Sequence, residues 1–211
     1  MGKAAMLRAV AAALLTGCLA TPSHAAQNQD PDWPCIQRKV PELSPAQIWN
    51  GPELPATAAD WSKDTDIPEL VRELAARRVP IAKAEKEIRD FAAALPKDKA
   101  GEQLAKLFQG LFDHMNSERS QVMSGIGRYA RNQVLLAERL RKEGSEVDAL
   151  SAKPDADHAA VARLTDRLVF ETRIFEERVQ SLTYVCEVPT LIEQRLYALA
   201  KVVAEEMKKG Q

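Results

Sequence analysis

The feature that most constrains this chain is a run without proline, Lys97 to Lys153, in which large apolar residues return at helical spacing. Leu104, Phe108, Leu111, Phe112, Met115, Val122, Ile126, Tyr129, Leu136, Leu140, Val147 and Leu150 carry the pattern. Phe108, Met115, Val122, Tyr129, Leu136 and Leu150 share one heptad register, with Glu143 its only miss. A straight α-helix drifts about 20° per heptad, so a register held this long predicts gentle supercoiling against a partner. Continuous from Asp98 to Ser151, such a helix spans roughly 80 Å. Ser124-Gly125-Ile126-Gly127 is its weak point, where a bend or a split is expected.

Lys153-Pro154-Asp155 reads as a turn, with Asp155 or Asp157 capping the next helix. Val161, Leu168, Phe175, Leu182, Leu196 and Val203 again share a register, and Pro189 occupies the one remaining place in it. Val188-Pro189 is therefore expected to kink or break the helix without losing its phase. Lys208 and Lys209 suit a helix C-terminus. A short turn between two long amphipathic helices forces them antiparallel. Upstream, Asp66-Ile67-Pro68-Glu69 is a helix start, with Ile67, Leu70, Val71 and Leu74 as its apolar face. Val79-Pro80 interrupts, Ile81, Ala84, Ile88, Phe91 and Leu95 mark a second helix, and Pro96 ends it. Aromatics at 5% and only 9 glycines are lean for a β-sandwich or an α/β enzyme. The expected fold class is all-α: an elongated antiparallel helical hairpin in a three- to four-helix bundle with coiled-coil character, over residues 66–211.

Residues 26–65 read differently. This stretch holds Pro31, Pro34, Pro41, Pro45, Pro52 and Pro55 together with Trp33, Trp49 and Trp61, the only tryptophans of the chain. Proline at this density blocks long helices and central strands. Ile36, Val40, Leu43, Ile48 and Leu54 make the segment too apolar for a solvated linker. It is expected to be an extended arm that wraps the helices. One short helix is expected in it, with Ser44 as N-cap and Pro45 in first position.

The N-terminus has the pattern of an export signal. Lys3 and Arg8 precede an uncharged stretch, Ala9 to Ala20, too short to span a bilayer. Ser23-His24-Ala25 places small residues before a cut that would remove residues 1–25. A second reading stays open: Leu15-Thr16-Gly17-Cys18 resembles the lipobox of bacterial lipoproteins. That resemblance implies removal of residues 1–17 and a lipid on Cys18. The expected location is the periplasm, or the outer membrane through a lipid anchor at Cys18. Loss of Lys3 and Arg8 leaves 27 basic against 30 acidic residues, a net charge near −3. Such a chain has no basic excess for nucleic acid.

Either cut leaves Cys35 and Cys186 as the remaining thiols. An exported chain with two cysteines is read as carrying one disulfide. Neither lies in a C-x-x-C motif or beside a histidine, which argues against a redox-active pair.

Chemical motifs are sparse. There is no glycine-rich phosphate loop, no G-x-S-x-G and no zinc spacing. Leu111 stands where a di-iron bundle needs a glutamate before His114. Asp155 before His158 reads as a cap beside a surface histidine. The expectation is therefore a non-enzyme that needs no cofactor. It is an accessory, adaptor or chaperone-like envelope component working by protein–protein contact, with self-association among its options. Candidate contact residues are Trp33, Trp49 and Trp61, since tryptophan is enriched at binding hot spots, and the arginines Arg128, Arg131 and Arg139. The competing expectation is a metal- or haem-binding bundle around His114 with Met115, Met123 and Met207; elsewhere, methionine at core spacing is packing.

Overall fold

A computed structural model describes residue 30 and residues 33–210. The export signal and Cys18 lie outside the described residues. Within them every regular element is a helix: α1 (Pro45–Ile48), a 3-10 helix (Ala56–Lys63), α2 (Ile67–Ala75), α3 (Ile81–Ala94), α4 (Lys97–Ser151) and α5 (His158–Lys209). The all-α hairpin expected from the periodicity is the fold: α4 and α5 pack against each other along their lengths.

α4 runs unbroken for 55 residues, about 80 Å at the α-helical rise. Ser124-Gly125-Ile126-Gly127 does not split it: Ile126 and Gly127 are buried, so packing outweighs the weak helix propensity of glycine. α5 likewise continues through Pro189, which is buried, rather than breaking there. At the tip, Asp157 is the cap: its Oδ1 accepts from the amides of Ala159 and Ala160 at 3.0 and 3.1 Å.

The seam between the helices sits beside the register read from the sequence. The line buried over the longest stretch is Ala105, Phe112, Arg119, Ile126, Gln133 and Leu140. Phe108 and Met115 are fully buried, yet Val122, Tyr129 and Leu136 are only half-buried, and Leu150 is exposed. Arg119 and Gln133 interrupt the true seam with polar side chains, which hides it from a hydrophobic count.

One core occupies the base of the hairpin. Leu104, Phe108, Leu111 and Met115 of α4 meet Ile192, Leu196, Leu199 and Val203 of α5 there. The 3-10 helix and α2 cover α4, and α3 covers α5. Asp66 occupies the N-cap position of α2, but its side chain makes no capping bond. Asp64 Oδ1 accepts from the Asp66 amide instead, at 3.3 Å. At the other end of α2, Arg195 of α5 donates to the Leu74 carbonyl at 2.6 and 2.9 Å and to that of Val79 at 2.8 Å. These are carbonyls that a helix end and its loop leave without partners. Burial draws the Arg195 guanidinium pKa below its ordinary value.

The arm lies along α4 as expected, held by side chains. Asn116 Oδ1 accepts from the Leu43 amide at 3.1 Å, and its Nδ2 donates to the Leu43 carbonyl at 3.3 Å. Ser120 Oγ donates to Pro41 O at 2.9 Å. Ser44 and Gln47 form a capping box at α1, with Pro45 at its start. The 3-10 turns at residues 56–63 are the departure from an extended arm. Eight residues are long for this helix type. They seat the Trp61 ring against Gly110, where an added Cβ would lie 2.9 Å from Cε3.

A disulfide joins Cys35 to Cys186 with Cα atoms 5.5 Å apart. It closes 151 residues of sequence, which in the chain-entropy treatment stabilises the fold by about 4–5 kcal/mol. The bond fixes the start of the arm at mid-height on α5.

Candidate functional site

Above the disulfide the molecule changes character. Toward the tip, the shared core ends and the hairpin continues as two helices: Val122 and Val188 are only partly buried at its upper edge. No residue of α5 before Cys186 is fully buried. Much apolar surface faces outward here, including Leu135 at 63%, Phe170 at 63% and Tyr184 at 75% exposure.

One side of this outer half is closed by polar groups. Tyr129 Oη donates to Arg178 O at 3.4 Å. Arg139 meets Glu171 and Arg167 meets Glu143, each at 3.5 Å. These contacts set the antiparallel register. They are the flanking ion pairs that a basic α4 and an acidic α5 favour, and they fix alignment more than stability.

The other side is a groove. Ala130, Val134 and Ala137 of α4 face Phe175, Val179 and Leu182 of α5, and Pro34 of the arm, next to the disulfide, lines it as well. The cleft holds about 270 Å³. Small alanines on α4 keep it open. Gln133 lies in it, 6% exposed, and its Oε1 has no donor among the described residues. Buried acceptors of this kind are rare in folded chains and ask for an explanation.

The tryptophans divide. Trp49 stacks on Phe108, ring centroids 4.1 Å apart, and donates to Pro52 O at 2.7 Å. Trp61 donates to Asp113 Oδ2 at 2.9 Å and packs on the core. Both anchor the arm. Trp33 is half-buried, donates to Gln37 O at 2.6 Å and lies under the Lys39 ammonium, 5.8 Å from the ring centroid. Beside it Ile36 is fully exposed. Of the arginines, Arg128 is exposed, Arg131 borders the groove and Arg139 belongs to the ion-pair ladder. The structure therefore does not gather the tryptophans and the arginines into one site.

His114 and His158 are exposed, whereas Met115, Met123 and Met207 are buried. His114 lies outside the buried core that contains Met115 and Met207. Among the described residues no group of three or more His, Cys, Asp or Glu side chains is placed to hold a metal ion. No helix among them is long and apolar enough to cross a membrane.

Arg119, Gln133 and Arg195 were not among the expected site residues. Arg119 and Gln133 had a usable signal, since both fall on the seven-residue line through Phe112, Ile126 and Leu140. Arg195 had none, because its acceptors lie 116 and 121 residues away. Comparison with known proteins finds no matching family model, no matching curated protein and no matching solved structure.

Proposed function

We propose that this chain is an exported accessory component of the bacterial cell envelope, adaptor or chaperone-like, that works by protein–protein contact. It is free in the periplasm or tethered to the outer membrane through Cys18. One observation carries the reading: the hairpin reaches well past its own core and exposes large apolar side chains on both of its helices. Large apolar side chains left in water on a rigid projection are the mark of a contact site. The base is built for rigidity, with its core, its disulfide and the Arg195 bonds. The signal-like N-terminus and the acidic balance of the processed chain support the envelope location.

In vivo photocrosslinking from Phe170 and Tyr184 tests this, combined with cell fractionation and intact-mass measurement. The expected result is a processed chain in the envelope fraction that forms a defined adduct with another envelope protein. An unprocessed chain in the cytosol, without adducts, overturns the reading.

A further inference from the structure

We propose that the outer hairpin is hinged to the base at Gly125 and Pro189, and that the Cys35–Cys186 disulfide locks this hinge by splinting the arm across it, so that reduction by a dithiol frees it. The hinge is independent of the contact role above and needs no partner.

The weak points of both long helices share one height on the rod. α4 carries Ser124-Gly125-Ile126-Gly127 there, and Gly/Ser pairs are habitual points of helix bending. At Gly125 an added Cβ would meet only Arg128 Nη2, at 3.9 Å, so packing does not demand a glycine. On α5, Pro189 has no amide to give to the Val185 carbonyl one turn back. The pairing of Arg119 with Glu193 and of Tyr129 with Arg178 sets Cys186 level with Ser124, and Pro189 level with Val122. Val122 and Val188 also mark the edge of the shared core. A bend at this height leaves the core below it intact.

The arm crosses the same height. Below it, Asn116 holds Leu43, Arg119 holds Val40 and Ser120 holds Pro41 on α4. At it, Cys35 is bonded to Cys186 of α5. Beyond it toward the tip, Pro34 lines the cleft with Ala130, Val134, Val179 and Leu182. Between these ties Trp33 donates to Gln37 O, and Lys39 lies over the Trp33 ring, so the stretch is braced within itself. The arm thus joins α4 below the weak points to both helices above them, and the disulfide is its covalent fastening.

The unlocking step is thiol–disulfide exchange. A thiolate of the dithiol attacks Sγ of Cys35, the more open of the two cysteines. The S–S bond breaks, and its electron pair leaves on Cys186 Sγ, which takes a proton. The second thiol of the reductant then displaces Cys35 as a thiol. The chain gains two electrons and two protons, and the reductant ends as a disulfide.

Electron–electron double resonance between spin labels at Asp90 on α3 and Asp166 on α5, both exposed, reads bending across the hinge from a helix beside the hairpin. A second pair at Asp90 and Glu102 lies within the base. The oxidised chain is expected to give narrow distributions for both pairs. In C35S/C186S the Asp90–Asp166 distribution is expected to become about twofold broader, while the base pair stays narrow. Adding G125A and P189A to that variant is expected to narrow it again. In the native chain, dithiothreitol followed by alkylation is expected to label two thiols with helicity retained. An Asp90–Asp166 distribution as narrow without the disulfide as with it overturns the proposal. So does broadening of both pairs, which means that the bridge holds the base itself, or broadening that G125A and P189A do not reverse. A disulfide that dithiothreitol reduces only on unfolding removes the redox control.

Discussion

The guanidinium of Arg119 on α4 meets the Glu193 carboxylate on α5 while its NH1 donates to the Val40 carbonyl at 2.6 Å. One side chain, 3% exposed, thereby ties both arms of the hairpin to the N-terminal strap. It sits on the seam line where an apolar residue is otherwise expected. The charge is tolerated there because each side of the guanidinium has an acceptor.

Arg119→Ala is expected to destabilise the oxidised protein by about 2–4 kcal/mol, because it removes the charge from a buried pair and strands the Val40 carbonyl. Glu193, partly open to water, limits the loss. Glu193→Gln is expected to cost less, about 1–2 kcal/mol, since an amide oxygen still accepts from Arg119. Urea unfolding of the three proteins followed by circular dichroism measures the order. Equal losses for both variants contradict this account.

Two glycines of α4 separate helix propensity from packing. At Gly101 an added Cβ meets nothing within 4 Å, so Gly101→Ala is expected to stabilise by about 0.5–1 kcal/mol through propensity. At Gly110 the same atom would lie 2.7 Å from Val71 Cγ2 and 2.9 Å from Trp61 Cε3. Overpacking there costs about 1–3 kcal/mol and outweighs the same propensity gain. Gly110→Ala is thus expected to lower the thermal midpoint and to shift Trp61 fluorescence, whereas Gly101→Ala raises the midpoint and leaves the emission unchanged.

The pH response is set where the 3-10 helix meets α4. Burial pushes the Asp64 carboxyl up, but hydrogen bonds from Gln103 and the Asp66 amide, with the charge of Lys106, hold it below the usual carboxylate range. Hydrogen bonding to Glu102, opposed by burial and helped by the charges of Glu102 and Asp64, holds the Lys106 ammonium above its ordinary value. Asp64 therefore contributes stability in full above its unfolded pKa and loses it as pH falls through the lower folded one. Lys106 contributes in full below its unfolded pKa and loses it as pH rises through the higher folded one. Asp64→Asn is expected to cost about 1–2 kcal/mol at neutral pH and nothing in acid beyond the folded pKa. Denaturant titrations across the acid range check this; a pH-independent difference refutes it.

Much of this architecture was legible because long helices advertise themselves. The apolar repeat from Leu104 to Leu150, the Asp157 cap and the Ser44-Pro45 start are local signals, and short-range geometry decided them. The pairing of Cys35 with Cys186 followed from having two thiols in a chain whose N-terminus reads as an export signal. What local signals could not carry was tertiary. The seam was displaced from the expected register because Arg119 and Gln133 stand on it. Glycine at 125 and 127 and proline at 189 weaken a free helix, yet a packed one continues through them. The 3-10 turns around Trp61 depend on Gly110, some 50 residues downstream, leaving space for an indole. The groove is a property of two helices together, and neither stripe marks it alone.

The claim beneath all of this is that α4 is one straight-running support from the core to the tip, so that the outer hairpin stands clear of the base. Electron–electron double resonance between spin labels at the exposed positions Glu102 and Asp148 measures that support directly, the native cysteines being tied in their disulfide. A single narrow distance near 70 Å, about 1.5 Å for each intervening residue, is the expected result. A broad or much shorter distribution means that the helix folds back at Ser124 to Gly127, and it would leave the projecting surface without a support.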